Sequence, residues 1–444
     1  MSASATSASA APSISFSELV RVFARIGCLS FGGPAGQIAL MHRELVDERQ
    51  WVDEGSFLRA LNLCHLLPGP EAQQLATWIG WRMHGMAGGL IGGLLFVVPG
   101  ALVMLALSIL YALAAHVALI AAIFLGVKAA VLAIVVQAVL RVAGRALKGT
   151  FQRVLALLSF IALFLLDAPF PLVVGVAALL GIIVTRTRPD WLKLHVAPAA
   201  SGISAREPSI AGTIGTILGW GAVWWAPMLA ILLLLGPHHV LWHIGLFFSK
   251  LAVVTFGGAY AVLAYMAQQA VDSMGWVSAK EMADGLGLAE TTPGPLIMVT
   301  QFIGFLAGWR SPEPFSPMTM GILGAALTTW VTFVPCFLWV FAFAPWMTKL
   351  ERMSWLQGAL AAITAGVVGV IANLSVWFAL HVLFRTLDPV AVGPMQLLWP
   401  DVTSFDWRAA LIAAVAALLV FRFKRGMIVT LGIAAGLGVG LSLI

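Results

Sequence analysis

Between Ala211 and Ser249 the chain carries no Asp, Glu, Lys or Arg, and between Leu90 and Leu140 it carries only Lys128. Charge-free runs of that length belong in a lipid bilayer, which a helix of about 20 apolar residues can cross. The windows 86–115, 117–140, 211–235, 317–345 and 356–380 each accommodate at least one crossing. Composition agrees: 61% of the 444 residues are hydrophobic and 10% charged, against about 25% charged in a soluble domain. The expected fold is an all-α polytopic membrane protein with roughly 10–13 crossings, several of them tilted or broken. Residues 1–15, which open "MSASATSASAAPS", have neither a basic nor an apolar signal region and read as a disordered tail.

The second constraint is a duplication. Pro68-Gly69-Pro70 recurs as Pro293-Gly294-Pro295, an offset of 225. Applied backwards without a gap, that offset places Trp51-Val52 on Trp276-Val277 and Phe31-Gly32-Gly33 on Phe256-Gly257-Gly258, and positions 23–70 contain 15 identities in 48. Apolar segments match Leu and Ala by chance, but not Gly-Gly, Trp and Pro-Gly-Pro in register, so the chain is a tandem repeat. With an insertion the match continues: Val98-Pro99 falls on Val334-Pro335, and Gly126 on Gly358. The division expected is a first repeat over 16–185, a polar linker over 186–210 and a second repeat over 211–444.

Orientation follows from Lys and Arg, which favour the cytoplasmic side. The loop at 141–153, the linker, and the segment holding Arg422, Lys424 and Arg425 are basic, whereas the second-half counterpart of 141–153, roughly 373–406, is not. Equivalent loops on opposite sides imply halves inverted in the membrane. The net charge of +6 is accounted for by such loops, so nucleic acid is not an expected partner. Cys28, Cys64 and Cys336 are far apart in sequence and lack a Cys-x-x-Cys pattern; they read as small buried hydrophobes, with no disulfide, metal or cofactor implied.

Proline ends a helix and glycine lets the backbone turn. The runs after each Pro-Gly-Pro can restart as helices, and each restart exposes free N–H groups and a positive dipole end suited to an anion. Gly32-Gly33 and Gly257-Gly258 would break a second helix in each half. The alternative is that both motifs are surface turns joining ordinary spans. Arg25 aligns with Lys250, each six residues before its Phe-Gly-Gly; a cation in an apolar helix needs a partner or a wet cavity, unless it snorkels to the interface. His65 aligns with Glu290, three residues before each triplet, so either is a candidate for proton coupling or a structural hydrogen bond. Glu71 complements a helix dipole. Thr291 and Thr292 suit a cap or a ligand, and Gln73, Gln74 and Gln301 suit an oxyanion or interhelical bonds. Lys128 aligns with Leu360 and is left outside the site.

Phe-Gly-Gly, a Trp about twenty residues on, then Pro-Gly-Pro, all given twice, resembles the chromate ion transporter family in its long two-domain form, over roughly 16–185 and 240–444. The resemblance implies fused inverted halves in the bacterial inner membrane that export chromate and give chromate resistance, with sulfate or another inorganic anion as the alternative substrate. The residues carried over are Phe31, Gly32, Gly33, Pro68, Gly69 and Pro70, with Phe256, Gly257, Gly258, Pro293, Gly294 and Pro295. The substrate-binding set expected is these glycines and prolines with Arg25, Lys250, Thr291 and Thr292. Expected partners are the oxyanion, the lipid bilayer and a second copy in a homodimer; no catalytic residue or enzyme activity is expected.

Overall fold

In a computed structural model of the chain, the structure describes residues 14–114, 117–192, 209–256, 259–393 and 395–443. Most of the tail, most of the linker, and Gly257-Gly258 lie outside the described residues. The first half runs α1 (Phe16–Leu29), α2 (Gly33–His42) continued by a π-helical turn (Arg43–Glu48), α3 (Glu54–Leu66), α4 (Glu71–Ala114), α5 (Ala118–Ala146), α6 (Thr150–Leu166) and α7 (Phe170–Thr187). After α8 (Ile210–Leu234) the second half runs α9 (Val240–Val254), α10 (Ala259–Ala267) with a π-helical turn (Gln268–Ser273), α11 (Ala279–Thr291), a 3-10 turn (Leu296–Met298) leading into α12 (Val299–Arg310), α13 (Pro317–Phe343), α14 (Met347–Leu350) and α15 (Ser354–Leu383). The hairpin β1 (Leu387–Val392) and β2 (Met395–Pro400), then α16 (Trp407–Ala417) and α17 (Met427–Ser442), close the chain.

Among the described residues, six helices are long and apolar enough to cross a membrane, and four shorter ones are also apolar. The molecule is a multi-pass membrane protein, and the five windows chosen from charge fall on α4, α5, α8, α13 and α15. Leu102, Leu218, Leu233 and Leu234 are among the large apolar side chains left outward, as a lipid-facing surface requires. The β-hairpin was not expected; residues 373–406 read as a loop. Cys64 and Cys336 are buried, but Cys28 is exposed, because it continues the outward face of α1 set by Arg21 and Arg25.

Several elements recur at the offset of the sequence repeat. The two π turns lie 225 residues apart, as do α3 and α11 at both ends. Their N-caps, Asp53 and Ser278, hold the same place and bond the amides of Ser56 and Glu281. At Ser278 the Glu281 side chain also returns to the cap amide, so Ser278→Ala is expected to destabilise the protein by about 1 kcal/mol, read as a lower melting temperature in detergent. No counterpart of α8 precedes α1 among the described residues.

α4 is a hairpin of two arms, bent at His84 and Gly85, whose backbone is non-helical. A Cβ on Gly80 would lie 2.2 Å from the Gly88 carbonyl oxygen, so only glycine allows the arms this close. α12 and α13 form the equivalent pair, with Gly308 equally close to the Met320 carbonyl. The second arm of α4 also packs on α13. A Cβ on Gly89 would lie 2.6 Å from the Phe341 ring, and one on Gly93 2.4 Å from Phe337. Contacts advance along one helix as they retreat along the other, so these two equivalent helices run antiparallel.

Candidate functional site

α1 stops at Ser30, whose hydroxyl donates back to the Ile26 carbonyl at 2.6 Å; Thr255 does the same to Leu251 at 2.5 Å beyond α9. The chain then turns through Gly32 (φ 94°) and Gly33 (φ 67°), conformations that favour glycine, and restarts as α2 with Pro34 in its first turn. In the second half the corresponding Gly257 and Gly258 are outside the described residues. The Pro-Gly-Pro triplets follow α3 and α11. Gly69 (φ 120°) and Gly294 (φ 86°) again take positive φ. Gly69, Pro70 and all of Pro293-Gly294-Pro295 are buried, with Pro68 half-buried.

Each triplet is held by the other repeat. The Gly69 N–H donates to the Thr255 carbonyl at 2.9 Å, and the Gly294 N–H donates to the Ser30 carbonyl at 2.9 Å. Ser30 and Thr255 are themselves 225 residues apart, so the two bonds are equivalent and reciprocal. The long spans complete the exchange. Gly100, just after Pro99, lies against Pro293, while Cys336, just after Pro335, lies against Gly69. Gln37, fully buried on α2, donates to the Gly294 carbonyl at 2.5 Å. Its equivalent, Val262, cannot.

Around this crossing the backbone is rich in unspent donors. α4 begins at Glu71, leaving the Glu71, Ala72 and Gln73 amides without intrahelical acceptors. Gln74 donates to the Pro68 carbonyl at 2.7 Å and Gln73 to the Thr77 hydroxyl at 3.1 Å. Gln301 donates to the Ala101 carbonyl at 2.8 Å and accepts from Thr329. The Thr291 and Thr292 hydroxyls donate to the Leu288 and Ala289 carbonyls, closing the last turn of α11. Glu290 is buried beside them. His65 is half-exposed with Nδ1 3.0 Å from the Glu71 carboxylate. Those residues are six apart, a spacing that does not meet on a straight helix; the break folds one onto the other.

Arg25 and Lys250 hold equivalent, exposed positions, and their charged ends do not engage the triplets. Arg25 Nε lies 3.6 Å from Glu44, a buried carboxylate in the first π turn that also pairs with Arg49. Lys250 Nζ lies 5.8 Å from the centre of the Tyr265 ring. The residue equivalent to Glu44 is Gln269, so the second repeat lacks the neutralising carboxylate, and among the described residues Lys250 makes no ion pair. Glu44 and Gln37 escaped sequence reasoning; a charge at 44 that becomes neutral at 269 was the available signal.

A cavity of about 370 Å³ lies beyond Tyr265, lined by Asp167, Gln268, Asp272 and Asn373 among others. Two carboxylates in its wall make it unsuited to a dianion.

The sequence matches the family described as "Chromate transporter" over residues 17–182 and 242–439, segments that skip α8. It is 27% identical over 420 residues to the "Chromate transport protein" of Cupriavidus metallidurans, covering 94% of this chain and 90% of that one. It is 30% identical over 397 residues to the protein of the same description from Pseudomonas aeruginosa, covering 84% and 83%. A "Probable chromate transport protein" of Synechococcus elongatus is 28% identical over 394 residues, covering 82% and 84%. No solved structure matches. The family match takes in both Phe-Gly-Gly motifs, both Pro-Gly-Pro motifs and nearly all the helices around them, and the chain belongs to the chromate transporter family.

Proposed function

We propose that this protein is a secondary transporter that exports chromate from the bacterial cytoplasm, giving chromate resistance. The anion binds where the broken helices of two inverted repeats cross. The observation that carries this reading is the reciprocal pairing of Gly69 with Thr255 and Gly294 with Ser30. It brings two helix restarts, with their free amides, back to back inside the protein, the arrangement that secondary transporters use for substrates. Antiparallel packing of the second arm of α4 on its equivalent, α13, supports inversion of residues 16–185 relative to 211–444 about the 186–210 linker. The chromate relatives support the substrate class. Gly32, Gly33, Pro68, Gly69, Pro70, Gly257, Gly258, Thr291, Thr292, Pro293, Gly294 and Pro295 form the site, with Arg25 and Lys250 drawing the anion in. Two copies of the chain pair as a homodimer.

Energetics favour export. One charge crossing 100 mV is worth about 2.3 kcal/mol, so a dianion leaving a negative interior gains about 4.6 kcal/mol. The test is chromate flux into and out of proteoliposomes of purified protein under an imposed potential. Potential-driven chromate flux that excess sulfate blocks is the expected result. Robust sulfate flux without chromate flux would replace the substrate and keep the scaffold; neither flux would remove the transporter reading.

A further inference from the structure

Asp284 sits in the middle of α11, 2% exposed, in a helix otherwise built of small and apolar side chains there. One carboxylate oxygen, Oδ2, accepts from the Tyr111 hydroxyl at 2.8 Å. The other, Oδ1, is buried with no hydrogen-bond partner. Tyr111 comes from the far end of α4, and α5 supplies Lys128, the cation with the largest electrostatic influence on the carboxylate. Gly287 lets α5 come this close, since a Cβ there would lie 2.8 Å from Val127. A carboxylate sealed among apolar groups with one oxygen bare is costly, and in a membrane protein such a residue marks an ion or proton pathway.

Other titratable groups around it are few. α11 packs on α5, α12, α15 and α4. On α11 itself, Lys280 and Glu281 lie one turn toward the helix start, and Glu281 is engaged by Arg310 of α12. α15 offers only His381, whose ring bonds the Trp377 carbonyl. Asp406 acts on Lys128 from beyond the β-hairpin. Asp284 therefore stands between the polar start of α11 and Pro293, nine residues on at its other end.

We propose that Asp284 is the residue through which this transporter binds a coupling proton, an inference that rests on the oxyanion-carrier reading. Ionised, Asp284 holds Lys128 and repels a dianion at the Pro293-Gly294-Pro295 break. Protonated at Oδ1, it releases both constraints. Proton and oxyanion then favour each other's binding, and by linkage each raises the other's affinity by the same factor. The pair leaves with one net negative charge, so 100 mV drives its export by about 2.3 kcal/mol, half the figure for the bare dianion. The charge at the equivalent position is reversed, Arg59, so one proton site serves the whole transporter.

The test uses the purified full-length protein and sulfate and chromate as probes, measuring affinity between pH 5 and 8 and, with a pH-sensitive dye, proton uptake on binding. Wild type is expected to bind more tightly as pH falls, by up to about tenfold per pH unit, with proton uptake. Asp284→Asn is expected to keep the low-pH affinity at every pH and to take up no proton. Tyr111→Phe keeps the carboxylate, so it shifts the midpoint of the pH dependence without removing it. Glu281→Gln leaves the dependence in place. An Asp284→Asn protein that retains the wild-type pH profile overturns the proposal, as does dependence on sodium instead of pH. If wild type binds and moves neither anion, the carrier reading fails first, and the two failures are told apart by that control.

Discussion

Gly100→Leu reduces oxyanion flux in proteoliposomes to background, whereas Gly219→Leu leaves it unchanged. At Gly100 even a Cβ would lie 2.3 Å from the Pro293 carbonyl oxygen and 3.3 Å from the Gly294 Cα. Both are backbone atoms, so no rotamer change relieves the clash. The long arm of α4 must move off the second triplet, and the Gly294 bond to Ser30 goes with it. Overpacking costs about 1–3 kcal/mol, and an unpaired buried amide about 1–3 kcal/mol more. A fall in melting temperature is therefore expected alongside the loss of flux. A Cβ on Gly219 of α8 would meet nothing within 4 Å, and α8 lies outside both family-matched segments. Equal flux from the two variants would show that the triplet against Gly100 is not part of the transport path.

Lys250→Ala and Arg25→Ala are each expected to weaken oxyanion binding far more than Arg186→Ala, an exposed change in the last turn of α7, with Lys250→Ala the larger. A tenfold loss corresponds to about 1.4 kcal/mol, a reasonable floor for removing a cation that has no ion pair among the described residues. Arg25 has less to lose because Glu44 already neutralises it, and Arg49 remains to hold Glu44 when Arg25 is gone. Equal effects from all three substitutions, measured by equilibrium binding of sulfate, would sink the role of the paired cations.

Much of the fold was legible because hydrocarbon imposes a simple rule. Where charge disappears for twenty residues a helix must cross, and α5, α8, α13 and α15 begin and end near the expected points. The breaks were legible because Gly-Gly and Pro-Gly-Pro have few other uses between apolar runs. What was hidden depends on contacts between breaks. Gln37 reaches Gly294 across 257 residues, a pairing no local spacing encodes. His65 meets Glu71 only because the chain folds back at the triplet. Nothing in the local sequence sets Asp284 apart; its significance lies in the apolar walls that α4 and α5 bring around it. The β-hairpin at 387–400 went unseen because its alternating pattern is short and interrupted by Pro389 and Gly393.

The reciprocal bonds also set a timetable for the newborn chain. The Gly69 amide leaves the ribosome 186 residues before its acceptor, Thr255. At about 5–20 residues per second that is a wait of roughly 10–40 s. The Ser30 carbonyl waits longer still for Gly294. During that interval the first half enters the membrane with its two breaks unsealed, their polar backbone groups dependent on water or on the insertion machinery. Completion of the protein is thus a late event: the two reciprocal bonds cannot both form until residue 294 arrives, and α13 brings Cys336 against Gly69 later still.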